Sequence, residues 1–166
     1  MVVLVILLVT GGSSRRKAPA TVVLPRLVQR YANPAMGASG QLPAGWSAVR
    51  GPGLLQLRDP HGNALIVIGS SRDSASRLVA TELAAIRKTY TQVRITRGVG
   101  SILGGLPAKS RVVYGRNVHK VPIRILVAGA RGKRRNYILE AFTALHIPRN
   151  DLLEAQEVVF ALRLAG

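Results

Sequence analysis

Side-chain catalysis needs titratable groups that converge, and this chain offers few. Its 166 residues hold three histidines, seven carboxylates and no cysteine. His61, His119 and His146 are scattered over separate predicted turns or strand ends, and none has a second ligand at metal-site spacing. Asp59 and His61 are near enough for an acid–base pair, yet Asp59-Pro60-His61-Gly62-Asn63 reads better as a hairpin turn. There the carboxylate accepts backbone N–H groups and Gly62 supplies the positive φ. Gly-x-Ser-x-Gly is absent, and so few acids leave poor options for a triad or a carboxylate pair. Glu154 and Glu157 stand one helical turn apart, as on a solvated face. Gly98-Val99-Gly100-Ser101-Ile102-Leu103-Gly104-Gly105 has the glycines of a phosphate-cradling loop but neither the Gly-Lys-Ser/Thr ending nor the strand-to-helix setting. A kinked or bulged strand is expected there. Without cysteine there are no disulfides, thiol catalysis, zinc–thiolate centres or lipid-modified N-terminal cysteine. No enzymatic activity, cofactor or metal is expected.

Positive charge is what exceeds background. The chain carries 24 Lys+Arg against 7 Asp+Glu, a net charge of +17 that attracts phosphate backbones, anionic head groups and acidic polymers. The candidate anion-binding residues are Arg94, Arg97, Lys109, Arg111, Arg116, Lys120, Arg124, Arg131, Lys133, Arg134 and Arg135, with His119 among them. Strand alternation suggests that Arg94, Lys109, Arg111 and Arg124 line one exposed face or edge, with the Arg131–Arg135 turn projecting beyond it. The competing reading is solvated charge with no dedicated partner. Aromatics make up 4% of the chain, and only Tyr114 and Tyr137 fall near the basic set. Base stacking is therefore poorly served, and non-specific attraction to phosphate or lipid is the easier case.

The elements that must carry these residues follow from periodicity. Strands are expected at Trp46–Arg50, Leu54–Arg58 and Ala64–Ile68, between turns rich in Pro and Gly. Apolar residues at three- and four-residue spacing predict a helix over Ser74–Tyr90, capped by Asp73 and ending on Arg87 and Lys88. Further strands are expected at Gln92–Thr96, Ala108–Tyr114, Val118–Ala128 and Asn136–Ala144, with Pro122 on an edge or at a bulge. A second helix is expected over Asp151–Leu164, with its acids in the first half and Arg163 at the end. The fold class is α+β, a mostly antiparallel twisted sheet covered by two helices. Residues 1–10 read as a hydrophobic anchor or signal remnant, 11–30 as a flexible basic linker and 31–166 as the folded domain. Met1–Val9 is about half of the roughly 20 residues needed to span a bilayer and lacks a basic n-region, so its start is expected to lie upstream. The other reading makes it a buried strand. Arg15-Arg16-Lys17 favours the cytoplasmic side of a membrane.

The stretch YANPAMGASGQLPAGW, Tyr31 to Trp46, resembles the opening of PsbP-like domains, the Mog/PsbP-like fold of membrane-anchored or secreted actinobacterial proteins. Tyr31, Asn33, Pro34, Gly37, Leu42, Pro43, Gly45 and Trp46 match that opening, while Ala38 stands where an aromatic is usual. LLQLRDPHGNALIVI fits the hairpin before the first helix of such domains. Over residues 31–166 the resemblance implies an α/β/α sandwich, structural roles for Pro43 and Trp46, and an extracytoplasmic setting behind an N-terminal membrane anchor. It implies no chemistry. The expected function is a non-enzymatic accessory or binding domain at the cell envelope, with a cationic strand face for anionic lipid, wall polymer or a protein partner. The alternative is a small basic cytoplasmic protein binding nucleic acid without sequence preference.

Overall fold

The structure, a computed structural model, describes residues 24–98 and 102–166. The expected anchor at 1–10 and residues 11–23 of the expected linker lie outside the described residues. In chain order the elements are β1 (Leu27–Asn33), β2 (Ala38–Pro43), β3 (Ser47–Gly51), β4 (Leu54–Arg58), β5 (Ala64–Ser71), α1 (Ala75–Thr89) and β6 (Thr91–Arg97). Then follow β7 (Ile102–Leu103), β8 (Leu106–Arg116), β9 (Pro122–Arg131), β10 (Asn136–Ala144), α2 (Arg149–Ala161) and β11 (Arg163–Leu164). The larger sheet runs β3-β4-β5-β10-β9-β8-β6, with β7 paired to β8, and a three-stranded sheet runs β1-β2-β11. Every strand pairing is antiparallel.

Alternation explains the layers. Leu55 and Leu57 of β4 and Ile66 and Ile68 of β5 point to one side of the large sheet, where they meet Met36, Leu42, Trp46, Ala155, Val158 and Leu162. That side is covered by the small sheet and α2. On the other side Val113, Ile125 and Val127 meet Val79, Leu83 and Ile86 of α1. The central strand β9 is buried on both faces, which is why Val127-Ala128-Gly129-Ala130 has no polar member. Gly129 lies under the start of α1, where a Cβ would come within 2.7 Å of both Ala75 O and Val79 Cγ2.

The elements differ from expectation at their ends. β1 takes in residues 27–30, assigned above to the linker. Ser74, not Asp73, caps α1: its Oγ accepts the Arg77 N–H at 3.2 Å, while Asp73 pairs with the Arg77 side chain at 3.6 Å. Pro122 is neither on an edge nor at a bulge but is the first residue of the central β9, a position that tolerates a missing donor. α2 ends at Ala161, and Arg163 enters β11 opposite Ser39. Its Nη1 still reaches back to Phe160 O at 3.0 Å and Leu162 O at 2.8 Å, so the positive charge stays at the helix C-terminus. The glycine-rich segment forms a tight β7–β8 hairpin, with φ of +60° at Gly104 and +87° at Gly105. Residues 99–101 of it lie outside the described residues.

Candidate functional site

Strand register decides where the basic residues go. Arg111 stands opposite Val127 and Lys109 opposite Gly129, which puts both on the α1 side, and Arg97 joins them opposite Arg111. Tyr114 stands between Arg94 on β6 and Arg124 on β9, and these three occupy the other side. The expected single row of Arg94, Lys109, Arg111 and Arg124 is therefore split over two faces. The cause is a register shift between Thr91 and Arg94, together with the odd and even positions of β8. The Arg94 guanidinium lies 5.2 Å from the Tyr114 ring centroid, a cation–π contact.

Along the strands the set divides again. Arg116 and Lys120 belong to the β8–β9 hairpin, with Arg94 and Arg124 just inside it. Arg131, Lys133, Arg134 and Arg135 surround the β9–β10 turn, with Lys109 nearby. The length of β9 separates these ends by roughly 30 Å. Arg116 donates to Gln92 Oε1 at 2.9 Å and to Lys120 O at 2.8 Å, Arg111 donates to Ser110 O at 2.8 Å, and Arg135 donates to Ala35 O.

Most of the acids are already engaged. Asp59 accepts the N–H groups of Ala64, Asn63 and His61 at 2.8, 3.1 and 3.2 Å, the turn chemistry expected of it, and Gly62 has the positive φ of 73°. The sequence did not bring Asp151 to this turn. It accepts from Asn63 Nδ2 at 2.6 Å and lies 3.7 Å from His61 Nδ1. One ligand atom from each of Asp59, His61 and Asp151 fits within 4.8 Å, but both Asp59 oxygens serve backbone donors. Glu154, expected on a solvated face, accepts the Trp46 indole N–H at 2.8 Å. Trp46 itself is 2% exposed, in the structural role implied for it.

A carboxylate pair that spacing did not suggest lies between α1 and β10. Burial raises the Glu140 carboxyl to about 7, and the charge of Glu82 and a hydrogen bond with it act in the same direction. A hollow of about 630 Å³ between β1, β2 and the end of α2 is shallow and is lined by Arg30, Tyr31, Gln41 and Arg163 without a carboxylate or histidine. His119 and His146 are exposed and lie in separate turns.

No protein-family profile matches the chain, and no curated protein does. Solved structures do. Cyanobacterial PsbP (CyanoP) from Synechocystis matches with a TM-score of 0.55 at 14% identity, over 89% of this chain and 98% of that one. The Ran-binding protein Mog1p of Saccharomyces cerevisiae matches with a TM-score of 0.55 at 9% identity, over 84% and 96%. The fold is that of PsbP and Mog1p. LpqN of Mycobacterium tuberculosis, described as involved in cell envelope biogenesis, has it too, with a TM-score of 0.53, 12% identity and coverage of 78% and 83%. A Bacteroides thetaiotaomicron protein matches with a TM-score of 0.56 at 12% identity, and the chain spans half of its length (50%). At such identities the fold alone is shared. The resemblance carried by Tyr31–Trp46 is borne out at that level. Ala38, in place of the usual aromatic, is still buried, at 2% exposure. No helix among the described residues is long and apolar enough to cross a membrane.

Proposed function

We propose that this is an accessory binding domain with no chemistry of its own, held at the cell envelope by an N-terminal anchor, whose basic surface takes up an anionic partner. The observation that carries this reading is the fate of the counter-charges. Among the described residues Arg77 is the one Lys or Arg in an ion pair with a carboxylate, that of Asp73, while Asp59, Asp151, Glu154 and the Glu82–Glu140 pair serve backbone donors, Asn63, Trp46 or one another. The remaining cations project their field into solvent. Two basic ends roughly 30 Å apart suit an extended anionic surface better than a small ligand. The fold of the envelope-related LpqN favours the location, and the Ran-binding Mog1p is an instance of the fold in a binding role.

Nucleic acid is the weaker partner, because the two aromatics near the basic set are not free to stack on bases. Tyr137 is fully buried, its hydroxyl donating to Met36 O at 3.0 Å, and the Tyr114 ring is covered by Arg94. The test is binding of the full chain to neutral vesicles, acidic vesicles and polyphosphate across a salt series. Acidic targets are expected to bind far more tightly than neutral ones, with log affinity falling steeply against log salt. Equal binding to neutral and acidic targets at low salt removes the electrostatic role.

A further inference from the structure

Building on that basic surface, we propose that the chain meets an anionic lipid bilayer end-on through the tip of the β8–β9 hairpin, with Val118 and Val121 entering the acyl boundary between cations that hold the head groups. Val118 is 78% exposed and Val121 44%. Leu145, 43% exposed, stands alongside, its N–H donating to Pro122 O at 3.0 Å. Three exposed aliphatic side chains at one end of a sheet gain nothing from water. Arg116 and Lys120 flank them. α1 runs toward the same end, since Gly115 lies against Tyr90, so Arg87 and Lys88 of its last turn arrive there too.

Acidic residues do not oppose the approach. Between Glu82 and Glu140 the sequence holds not one Asp or Glu. Asp59 and Asp151, in the β4–β5 turn and at the start of α2, stand at this end of the sheet by register, and both are buried. The tip is also tied together by its own hydrogen bonds. Asn117 Oδ1 accepts the N–H groups of His119 and Val121, each at 3.0 Å, and Lys120 N–H donates to Asn117 O at 2.9 Å. Lys120 holds a φ of +61° within this lattice of bonds. An ordered tip loses little conformational freedom on docking.

The shape selects the occupant. A stable protein interface needs roughly 800 Å² from each partner, a broad patch of many residues, whereas the exposed aliphatic residues here are three at a hairpin end, and a polyanion offers no apolar layer for Val118. A bilayer offers both head-group charge and an acyl boundary. The opposite end is more basic, but its turn, Gly132-Lys133-Arg134-Arg135, carries no aliphatic side chain, and the adjoining β7–β8 hairpin exposes one, Ile102 at 73%.

The absence of cysteine makes the test clean, because Val118→Cys and Lys133→Cys each introduce a single thiol for an environment-sensitive fluorophore. The full chain is mixed with vesicles of phosphatidylcholine, with and without phosphatidylglycerol. A blue-shifted, brighter label is expected at position 118 with the anionic vesicles only, and little change at position 133. A Val118→Asn/Val121→Asn variant is expected to lose about tenfold in affinity for anionic vesicles while holding polyphosphate as before. If anionic vesicles bind but the label at 118 stays in water and the Asn variant binds normally, the tip is refuted and the basic surface stands. Binding to polyphosphate without binding to vesicles also refutes the bilayer as partner. Binding to neither refutes the basic surface, and the tip with it.

Discussion

Glu140 occupies the α1 side of β10, in the cross-strand row that also holds Val127 and Val67, with Glu82 above it. Its carboxyl titrates near 7 in the fold and near 4.3 in an unfolded chain, so the folded state prefers the proton. The stability this provides is fully present below the unfolded value and is lost as pH rises through about 7. Because the group is partly solvated, the loss is about 1 kcal/mol after screening. Chemical denaturation from pH 4 to 8 should show it, and Glu140→Gln should flatten the curve and raise stability at pH 8. An unchanged slope in that variant would place the effect elsewhere. At Trp46 the geometry predicts a loss of about 1–2 kcal/mol for Trp46→Phe beyond the cost of the smaller ring, since the Glu154 carboxylate then keeps no indole donor. A double-mutant cycle with Glu154→Gln isolates the coupling, and its absence would show that the 2.8 Å bond contributes nothing.

At the scale of elements, α1 is fastened at its start by a cap and by close approach to the sheet. Ser74→Ala removes the side-chain acceptor for Arg77 N–H and should cost about 1 kcal/mol in urea unfolding. Gly129→Ala should cost more, because the new methyl meets backbone oxygen of Ala75 as well as Val79 and the helix must lift from β9. Gly62→Ala is the comparison. Nothing lies within 4 Å of its Cβ position, so only the positive φ is penalised, at about 1–2 kcal/mol. Should Gly129→Ala prove as mild as Gly62→Ala, the tight seating of α1 would be wrong.

For the whole molecule the strongest long-range force is self-repulsion among cations that have no carboxylate partner among the described residues. Added salt screens it, so the thermal midpoint should rise by a few degrees between low and physiological ionic strength. Polyphosphate should achieve the same at far lower concentration if the folded surface takes up polyanions as proposed above. A midpoint independent of both would mean that the charges are spaced too widely to matter.

Periodicity along the chain sufficed for the existence and type of most elements. β4 alternates Leu55 and Leu57 inward, the apolar spacing of α1 returns every three or four residues, and Asn136–Ala144 is found at its expected bounds. Local turn chemistry was equally legible, as the hydrogen bonds of Asp59 and the φ of Gly62 attest. Which residues of one strand share a face is a property of that strand, whereas how its faces align with a neighbour's depends on register and on bulges. The shift between Thr91 and Arg94 is such a feature, and it separated Arg94 from Lys109 and Arg111. Glu82 with Glu140, and Asp151 with the Asp59 turn, are likewise contacts across space between segments far apart in sequence. Only the packing of α1 and α2 on opposite faces of the sheet could bring them together.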